Sequence, residues 1–264
     1  MIYSTLEVSR DGYLARIALN RPEVRNAFNE VVIAELTDAF NVLALQDDVR
    51  AILLAAKGQA FCAGADLNWM RKMAGYTRDE NVADARQLAE MLHTIWSCPK
   101  PVVAVIQGDT YAGGMGLVAA CDIAVAAGQV NFCLSETKLG LIPATIGPYV
   151  VRAMGEQAAR RYCVTAERFS AGEAHRIGFI HEVVAAEALE GRAVEIATAL
   201  AGNSPAAVRE SKRLVQDIAD RALDASLIAL TAERIADIRA SEEGREGVRS
   251  FLEKRKPAWI ARSA

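Results

Sequence analysis

The sequence lacks the marks of several protein classes. Among its 264 residues, aromatic side chains make up only 6%, and the formal net charge is −3, so no basic excess indicates nucleic-acid binding. No stretch approaches the roughly 18 consecutive apolar residues of a membrane-spanning helix. The N-terminal segment carries charges at short intervals and no apolar core, which argues against a signal peptide. We therefore expect a cytoplasmic protein that binds neither nucleic acid nor membrane.

Cysteine and histidine occur in patterns that exclude further classes. The five cysteines are scattered and contain no CxxC pair, which argues against a disulfide framework or a zinc cluster. The three histidines lie far apart and lack the spacing of metal ligands. We expect free thiols in a reducing compartment and no metal site.

The N-terminal fifty residues predict a hairpin followed by a helix. The segment "IYSTLEVSRDGYLARIALN" reads as two strands around a turn at Asp11-Gly12. Asn29 is placed to cap a helix that runs through about Leu45, because its side chain can accept a backbone hydrogen bond.

Beyond this helix, strand-like and helical segments alternate. Continuous apolar runs at 49–58, 101–108 and 122–127 are typical of buried parallel strands. An amphipathic helix is predicted over 79–97, and the chain is mostly helical after about residue 150. This order predicts an open α/β sheet with right-handed crossovers.

Two small-residue segments follow strand-like runs, "FCAGADL" at 61–67 and "TYAGGMGL" at 110–117. Ligands of open α/β sheets bind beyond the carboxyl ends of the strands. A helix that begins at Gly113 would present unpaired N–H groups there, and two such groups from separate loops would form an oxyanion hole. Close helix–strand packing is the alternative explanation for these glycines. Neither segment is a GxGxxG fingerprint or a Walker motif.

Taken together, the motifs resemble the crotonase superfamily, the enoyl-CoA hydratase/isomerase proteins, over essentially the whole chain. The matching segments are "IALNRPEVRNAFN", "FCAGADL", "PVVAVIQG" running into "AGGMGL", "ACDIAVAA", "ETKLGLIP", "RFSAGEAHRIGFIHEVV" and "FLEKRKPAW". Bacterial methylglutaconyl-CoA hydratase-type members are the most similar.

The resemblance implies an α/β fold, a crotonase-like spiral of ββα units with a helical C-terminal trimerisation region. We expect the spiral core in residues 1–200 and the helical region in 201–264, packed as one folding unit in a homotrimer or a dimer of trimers. The implied substrate is an acyl-CoA thioester, so coenzyme A is part of the substrate and no separate cofactor is expected.

The resemblance also implies functional residues. The backbone N–H groups of Ala65 and Gly113 would hold the thioester oxygen. Asp66 is expected to cap a turn with its side chain, while its backbone lies along CoA. The residues expected beside CoA are Arg25, Ala63, Ala65, Asp66, Leu67 and Lys254.

Glu136 matches a catalytic glutamate of this family, but a second hydratase glutamate falls at Gly116, which has no proton to transfer. Position 144, where an aspartate would indicate dienoyl-CoA isomerase or dehalogenase chemistry, is Ala144. Three functions remain open. They are hydration of a 2-enoyl-CoA, enoyl-CoA isomerisation with Glu136 alone, and binding of acyl-CoA without turnover.

Overall fold

The computed structural model describes residues 2–261 as two sheets with helices packed around them. The strands, in chain order, are β1 (Leu6–Asp11), β2 (Leu14–Leu19), β3 (Ala51–Ala56), β4 (Ala60–Cys62), β5 (Val102–Ile106), β6 (Asp109–Tyr111), β7 (Ile123–Ala127), β8 (Asn131–Cys133), β9 (Phe169–Ser170) and β10 (Glu182–Val184). Within these residues, six strands form the larger sheet in the order β1-β2-β3-β5-β7-β10, and four form the smaller sheet in the order β4-β6-β8-β9.

The helices lie between and after the strands. They are α1 (Glu30–Ala44), α2 (Leu67–Met73), α3 (Arg78–Ser97), α4 (Gly113–Ala120), α5 (Gly147–Thr165), α6 (Ala171–Arg176), α7 (Leu189–Ala201), α8 (Pro205–Ile218), α9 (Ala225–Ala240), α10 (Glu242–Leu252) and α11 (Ala258–Ala261). Short 3₁₀ helices span Pro22–Val24, Glu136–Leu139 and Ala186–Ala188.

A ββα unit repeats along the chain. Strands β3, β5 and β7 pair in parallel in the larger sheet, and each leads into a short strand of the smaller sheet, β4, β6 or β8. Those short strands also pair in parallel and precede helical segments. The predicted spiral of ββα units is therefore confirmed, and the carboxyl ends of β4, β6 and β8 lie side by side.

Local sequence explains the first elements. The hairpin is confirmed, with Asp11 paired to Leu14 and Gly12 at φ 55° in the turn, which begins one residue later than predicted. Asn29 caps α1 as predicted, since its Oδ1 accepts a hydrogen bond from the Val32 N–H at 3.0 Å.

The core lies between the larger sheet and the helices that cover it. The apolar runs predicted as parallel strands are buried in β3, β5 and β7. Helix α1 buries an apolar face, which consists of Val32, Ile33, Leu36, Ala39, Phe40 and Leu43. This packing holds the strands in place, and the small-residue loops emerge beyond the carboxyl ends of β4 and β6.

The chain after residue 201 is helical, and α10 packs against α8 and α9. Large apolar side chains remain exposed on α9 and α10, namely Ile228, Ile235, Val248, Phe251 and Leu252. None of the helices in residues 2–261 combines the length and the apolar character that crossing a bilayer requires.

Candidate active site

Two loops meet where β4 and β6 end. The first loop, residues 63–66, follows β4, and α4 begins just after β6. A Cβ at Gly64 would lie 3.1 Å from the Cβ of Ala112, and a Cβ at Gly114 would lie 2.8 Å from the carbonyl oxygen of Cys62. Glycine at these two positions therefore lets the two backbones approach closely.

The hydrogen bonds of the first loop leave the Ala65 N–H available. The Phe28 N–H donates to the Gly64 carbonyl at 2.7 Å, and the Asp66 N–H donates to the Phe28 carbonyl at 2.7 Å. The Ala63 N–H donates to the Arg25 carbonyl at 3.0 Å. Within residues 2–261, the Ala65 N–H has no hydrogen-bond acceptor, so it can serve a ligand.

The start of α4 supplies a second donor. Ala112 has φ 46° and ψ −119°, a backbone conformation that costs a residue with a side chain about 1–3 kcal/mol. Its N–H donates to the Cys133 carbonyl at 2.9 Å. The Gly113 N–H follows this turn and, in the described part of the chain, has no acceptor, as is usual in the first turn of a helix. Two free N–H groups at adjoining loops can stabilise an oxyanion.

Glu136 follows the next strand of the smaller sheet. It is the first residue of the 3₁₀ helix after β8, and that helix ends at Gly140 in a left-handed conformation. Among the described residues, its Oε2 atom is buried without a hydrogen-bond partner. Burial raises the pKa of Glu136, while a hydrogen bond from its own backbone N–H acts in the opposite direction. A buried carboxyl oxygen without a structural role suits a group that exchanges protons with a substrate.

The position of the second hydratase glutamate is filled by an apolar side chain. A Cβ at Gly116 would lie 2.3 Å from the Cγ2 and 2.8 Å from the Cβ of Ile146, with Leu92 Cδ2 3.5 Å away. Ile146 is only 2% exposed. Ile146 and Leu92 therefore form an apolar wall beside Gly116, and this wall offers neither a carboxylate nor room for one.

The Asp66 carboxylate is occupied within the protein. Its Oδ1 accepts from the Asn68 N–H at 2.8 Å at the start of α2, and its Oδ2 accepts from Arg21 Nη2 at 2.9 Å. Burial opposes ionisation, but these hydrogen bonds prevail and lower the pKa of Asp66. The side chain thus stabilises the first loop rather than offering a free carboxylate to a ligand.

The Cys62 thiol, at the end of β4 just before the first loop, is not activated as a nucleophile. Cys62 is fully buried, and burial raises the pKa of its thiol to about 12. A thiol with that pKa stays protonated at neutral pH and makes a poor nucleophile.

The residues predicted beside CoA lie in two parts of the chain. Arg25 is exposed and adjoins the first loop through its carbonyl, and Leu67 opens α2 with 68% of its surface exposed. Lys254 lies exposed just beyond α10. No hydrogen bond or ion pair in the described part of the chain joins Lys254 to the first loop.

Sequence reasoning missed three residues that shape the site, Arg21, Phe28 and Ile146. Arg21 and Phe28 lie in the recognised "NRPEVRNAF" segment, whose buried polar and aromatic members could have been flagged. No pattern links Ile146 to Gly116, because the contact joins residues thirty positions apart.

Comparison with known proteins assigns the family. The profile described as enoyl-CoA hydratase/isomerase matches residues 10–262. The chain belongs to the enoyl-CoA hydratase/isomerase family.

Individual relatives of this family are similar over nearly their whole length. A putative enoyl-CoA hydratase of Thermus thermophilus is 34% identical over 252 residues, which are 94% of this chain and 98% of that protein. A mevalonyl-coenzyme A hydratase of Aspergillus fumigatus is 35% identical, over 94% of this chain and 91% of that protein. The solved structure of an enoyl-CoA hydratase from Shewanella pealeana has a TM-score of 0.94 and 43% identity, covering 97% of this chain and 96% of that one. This membership supports acyl-CoA processing by an enoyl-CoA hydratase or isomerase activity.

Proposed function

We propose that the protein hydrates a 2-enoyl-CoA and that Glu136 is the only protein carboxylate that moves a proton. The observation that carries the proposal is the buried Oε2 of Glu136, which has no hydrogen-bond partner among residues 2–261. It lies on the loop after β8, next to the strands whose loops carry the Ala65 and Gly113 donors. The names of the relatives support hydration as the reaction.

The reaction follows from these three groups. The thioester oxygen accepts hydrogen bonds from the Ala65 and Gly113 N–H groups, which stabilise negative charge on that oxygen. As a water oxygen bonds to C3 of the enoyl group, the Glu136 carboxylate takes one proton from the water, and the C2=C3 electrons pass to the thioester as an enolate. Glu136 then returns the proton to C2. The net change is addition of one water, and Glu136 ends as a carboxylate.

The raised pKa of Glu136 fits both halves of this cycle. A carboxyl group whose pKa is nearer neutrality is a stronger base toward water and remains a competent acid toward the enolate carbon. A single carboxylate that acts twice also removes the need for a second acid at Gly116.

Isomerisation is the second candidate, and the wall at Gly116 and Ile146 favours it. In that reaction Glu136 removes a proton from C2 of a 3-enoyl-CoA and returns it to C4, so no water has to be held. An apolar wall beside the reacting carbons suits such a transfer because it offers water no hydrogen-bond partner.

We propose that CoA lies along the first loop. The groups beside it would be Arg25, the backbone of Ala63, Ala65 and Asp66, and Leu67. No separate cofactor would be needed, because coenzyme A is part of the substrate. Lys254 would contact CoA from the C-terminal region, within its own subunit or from a neighbouring one. The exposed apolar side chains Phe251 and Leu252 are suited to burial in a homotrimer or a dimer of trimers in the cytoplasm.

The acyl group is proposed from sequence resemblance as methylglutaconyl-CoA-like. Arg78, a candidate for binding a distal carboxylate, is almost fully exposed on the first turn of α3 and faces Asp79, so it adds no support. A screen of straight, branched and dicarboxylic 2-enoyl-CoAs identifies the acyl group.

Incubation of the protein with matched 2-enoyl-CoA and 3-enoyl-CoA esters tests the proposal. Hydration predicts loss of the conjugated thioester absorbance of the 2-enoyl ester and a product heavier by one water. Appearance of conjugated absorbance from the 3-enoyl ester, without hydration of the 2-enoyl ester, would establish the isomerase instead. If the protein turns over neither ester but still binds the CoA ester, it is a protein that binds acyl-CoA without turnover.

A further inference from the structure

Phe28 contacts both of the loops that carry the proposed oxyanion donors. It immediately precedes Asn29, the cap of α1, and only 1% of its surface is exposed. Its backbone pairs with the first loop and its ring packs against the start of α4. No other role in the reaction requires this residue, since its side chain carries no proton or charge.

The backbone of Phe28 fixes the peptides on both sides of Ala65. Its N–H donates to the Gly64 carbonyl and its carbonyl accepts from the Asp66 N–H, both at 2.7 Å. The Ala65 N–H belongs to the peptide that Gly64 and Ala65 share, so the bond to the Gly64 carbonyl orients it directly. The same pairing leaves that N–H without an acceptor of its own.

The ring of Phe28 determines where α4 can begin. A Cβ at Gly113 would lie 2.6 Å from Cε2 and 3.0 Å from Cδ2 of Phe28. The ring edge therefore occupies the space that a side chain at Gly113 would take. Because protein interiors are close-packed, a ring at this place supports the Gly113 backbone against displacement toward α1.

A polar network holds the segment of Phe28 against the first loop. Arg21 Nη1 donates to the Ala27 carbonyl at 2.7 Å, and Arg21 Nη2 donates to Asp66 at 2.9 Å. One guanidinium thus ties the residue before Phe28 to the residue after Ala65. The position of Phe28 is therefore set independently of any ligand.

We propose that Phe28 is a positioning residue that sets the spacing between the Ala65 and Gly113 N–H donors. This inference rests on the proposed function, because it assumes that both donors bind the thioester oxygen. Substitution by leucine preserves the backbone pairing and removes the ring edge from Gly113. The two donors would then no longer converge on one oxygen.

The kinetic consequence falls on the chemical step. Donors that act mainly on developing charge affect kcat more than substrate binding. A displacement of about 1 Å can lower a rate by roughly 100-fold. For Phe28→Leu we expect kcat to fall by about 10- to 100-fold, with KM changed by less than about threefold.

A spectroscopic measurement separates positioning from general loss of packing. Crotonyl-CoA labelled at the thioester carbonyl is bound to the full-length Glu136→Gln protein, which is expected to turn it over at least about 100-fold more slowly, and isotope-edited infrared spectra give the carbonyl stretch. The same measurement is made with Phe28→Leu and, separately, Phe40→Leu added. Phe40 is a fully buried phenylalanine about three turns further along α1, so its substitution is the matched control for lost core volume.

Each outcome has a defined meaning. We expect the carbonyl stretch to move to lower frequency on binding Glu136→Gln, and most of this shift to be lost with Phe28→Leu but kept with Phe40→Leu. If the shift survives Phe28→Leu, or if both leucine variants lose it equally, Phe28 does not position the donors and the proposed function stands. If Glu136→Gln itself shows no shift, the oxyanion hole and the inference built on it both fail.

Discussion

The Ile146 side chain fills the space beside Gly116, with its Cγ2 atom 2.3 Å from the point that a Cβ at position 116 would occupy. The place of the second hydratase glutamate is therefore occupied by the Ile146 side chain, so neither water nor another carboxylate can take it. In the proposed mechanism, proton transfer falls to Glu136, whose Oε2 has no hydrogen-bond partner in the described part of the chain.

A glutamate at position 116 is predicted to destabilise the protein by itself, and to raise the hydration rate only when Ile146 is replaced by a smaller residue. Gly116→Glu should lower the free energy of unfolding by about 1–3 kcal/mol through overpacking against Ile146, without raising the hydration rate. Gly116→Glu combined with Ile146→Ala should raise that rate at least about tenfold over Ile146→Ala alone, because a second acid becomes available.

The control for this pair is Gly116→Gln with Ile146→Ala, which adds similar volume but no proton. Denaturant unfolding and initial hydration rates are the measurements. A Gly116→Glu protein of unchanged stability and higher activity would show that Ile146 does not block this position.

The pH profile of hydration should report Glu136. Only the carboxylate form accepts a proton from water, so kcat/KM falls as the pH drops through the pKa of Glu136. Because burial raises that pKa above 4.5, the acidic limb should have its midpoint above pH 4.5. The residual rate of Glu136→Gln should lack this limb. An acidic limb that persists in Glu136→Gln would assign the titration to another group.

The Arg21–Asp66 ion pair should contribute stability that depends on pH. The pKa of Asp66 is lowered in the folded protein. Folded Asp66 therefore stays ionised at about pH 3.9, where the aspartate of the unfolded chain takes up a proton. The contribution is therefore present above that pH and is lost as the pH falls through the folded-state pKa. Asp66→Asn should lower the free energy of unfolding at pH 7 by about 3 kcal/mol, with the difference shrinking in acid.

The matched control is Asp48→Asn, which removes the exposed carboxylate paired with Arg10. Screening by solvent should make that effect far smaller. Equal effects of the two substitutions on unfolding at pH 7 would show that burial adds nothing to the Arg21–Asp66 pair.

Gly114 should tolerate no side chain, because a Cβ there would lie 2.8 Å from the Cys62 carbonyl oxygen, a backbone atom that cannot rotate away. Gly114→Ala is predicted to separate α4 from the first loop and lower kcat by about 100-fold. Gly191→Ala is the control, since that helical glycine has nothing within 4 Å of its Cβ position. It should leave kcat unchanged and stabilise α7 by about 0.5–1 kcal/mol. Equal activity of the two variants would contradict the close approach.

The elements predicted correctly from sequence are those set by local chemistry. The Asp11-Gly12 hairpin, the Asn29 cap and the apolar strand β3 each depend on residues close together in the chain. The smaller sheet escaped prediction because strands such as β4 span only three residues, too few to show a period. Its place in the fold came from the family resemblance.

The residues of the candidate site likewise divide into those that the sequence identifies and those that only the structure shows. Ala65, Gly113 and Glu136 were named from the family resemblance, and the structure places each of them shortly after one of the neighbouring strands β4, β6 and β8. The roles of Phe28 and Ile146 could not be named, because they depend on packing between distant segments. The Arg21–Asp66 pair likewise joins residues 45 positions apart.

The most direct test of the account is hydration of a 2-enoyl-CoA by Glu136→Gln, with the affinity for the CoA ester measured on the same sample. Glu156→Gln, which changes an exposed glutamate of α5, is the matched control. The account predicts that Glu136→Gln binds the ester within about threefold of the unmodified protein and loses hydration by at least about 100-fold, while Glu156→Gln retains both. Hydration by Glu136→Gln at a rate close to that of the unmodified protein would contradict it.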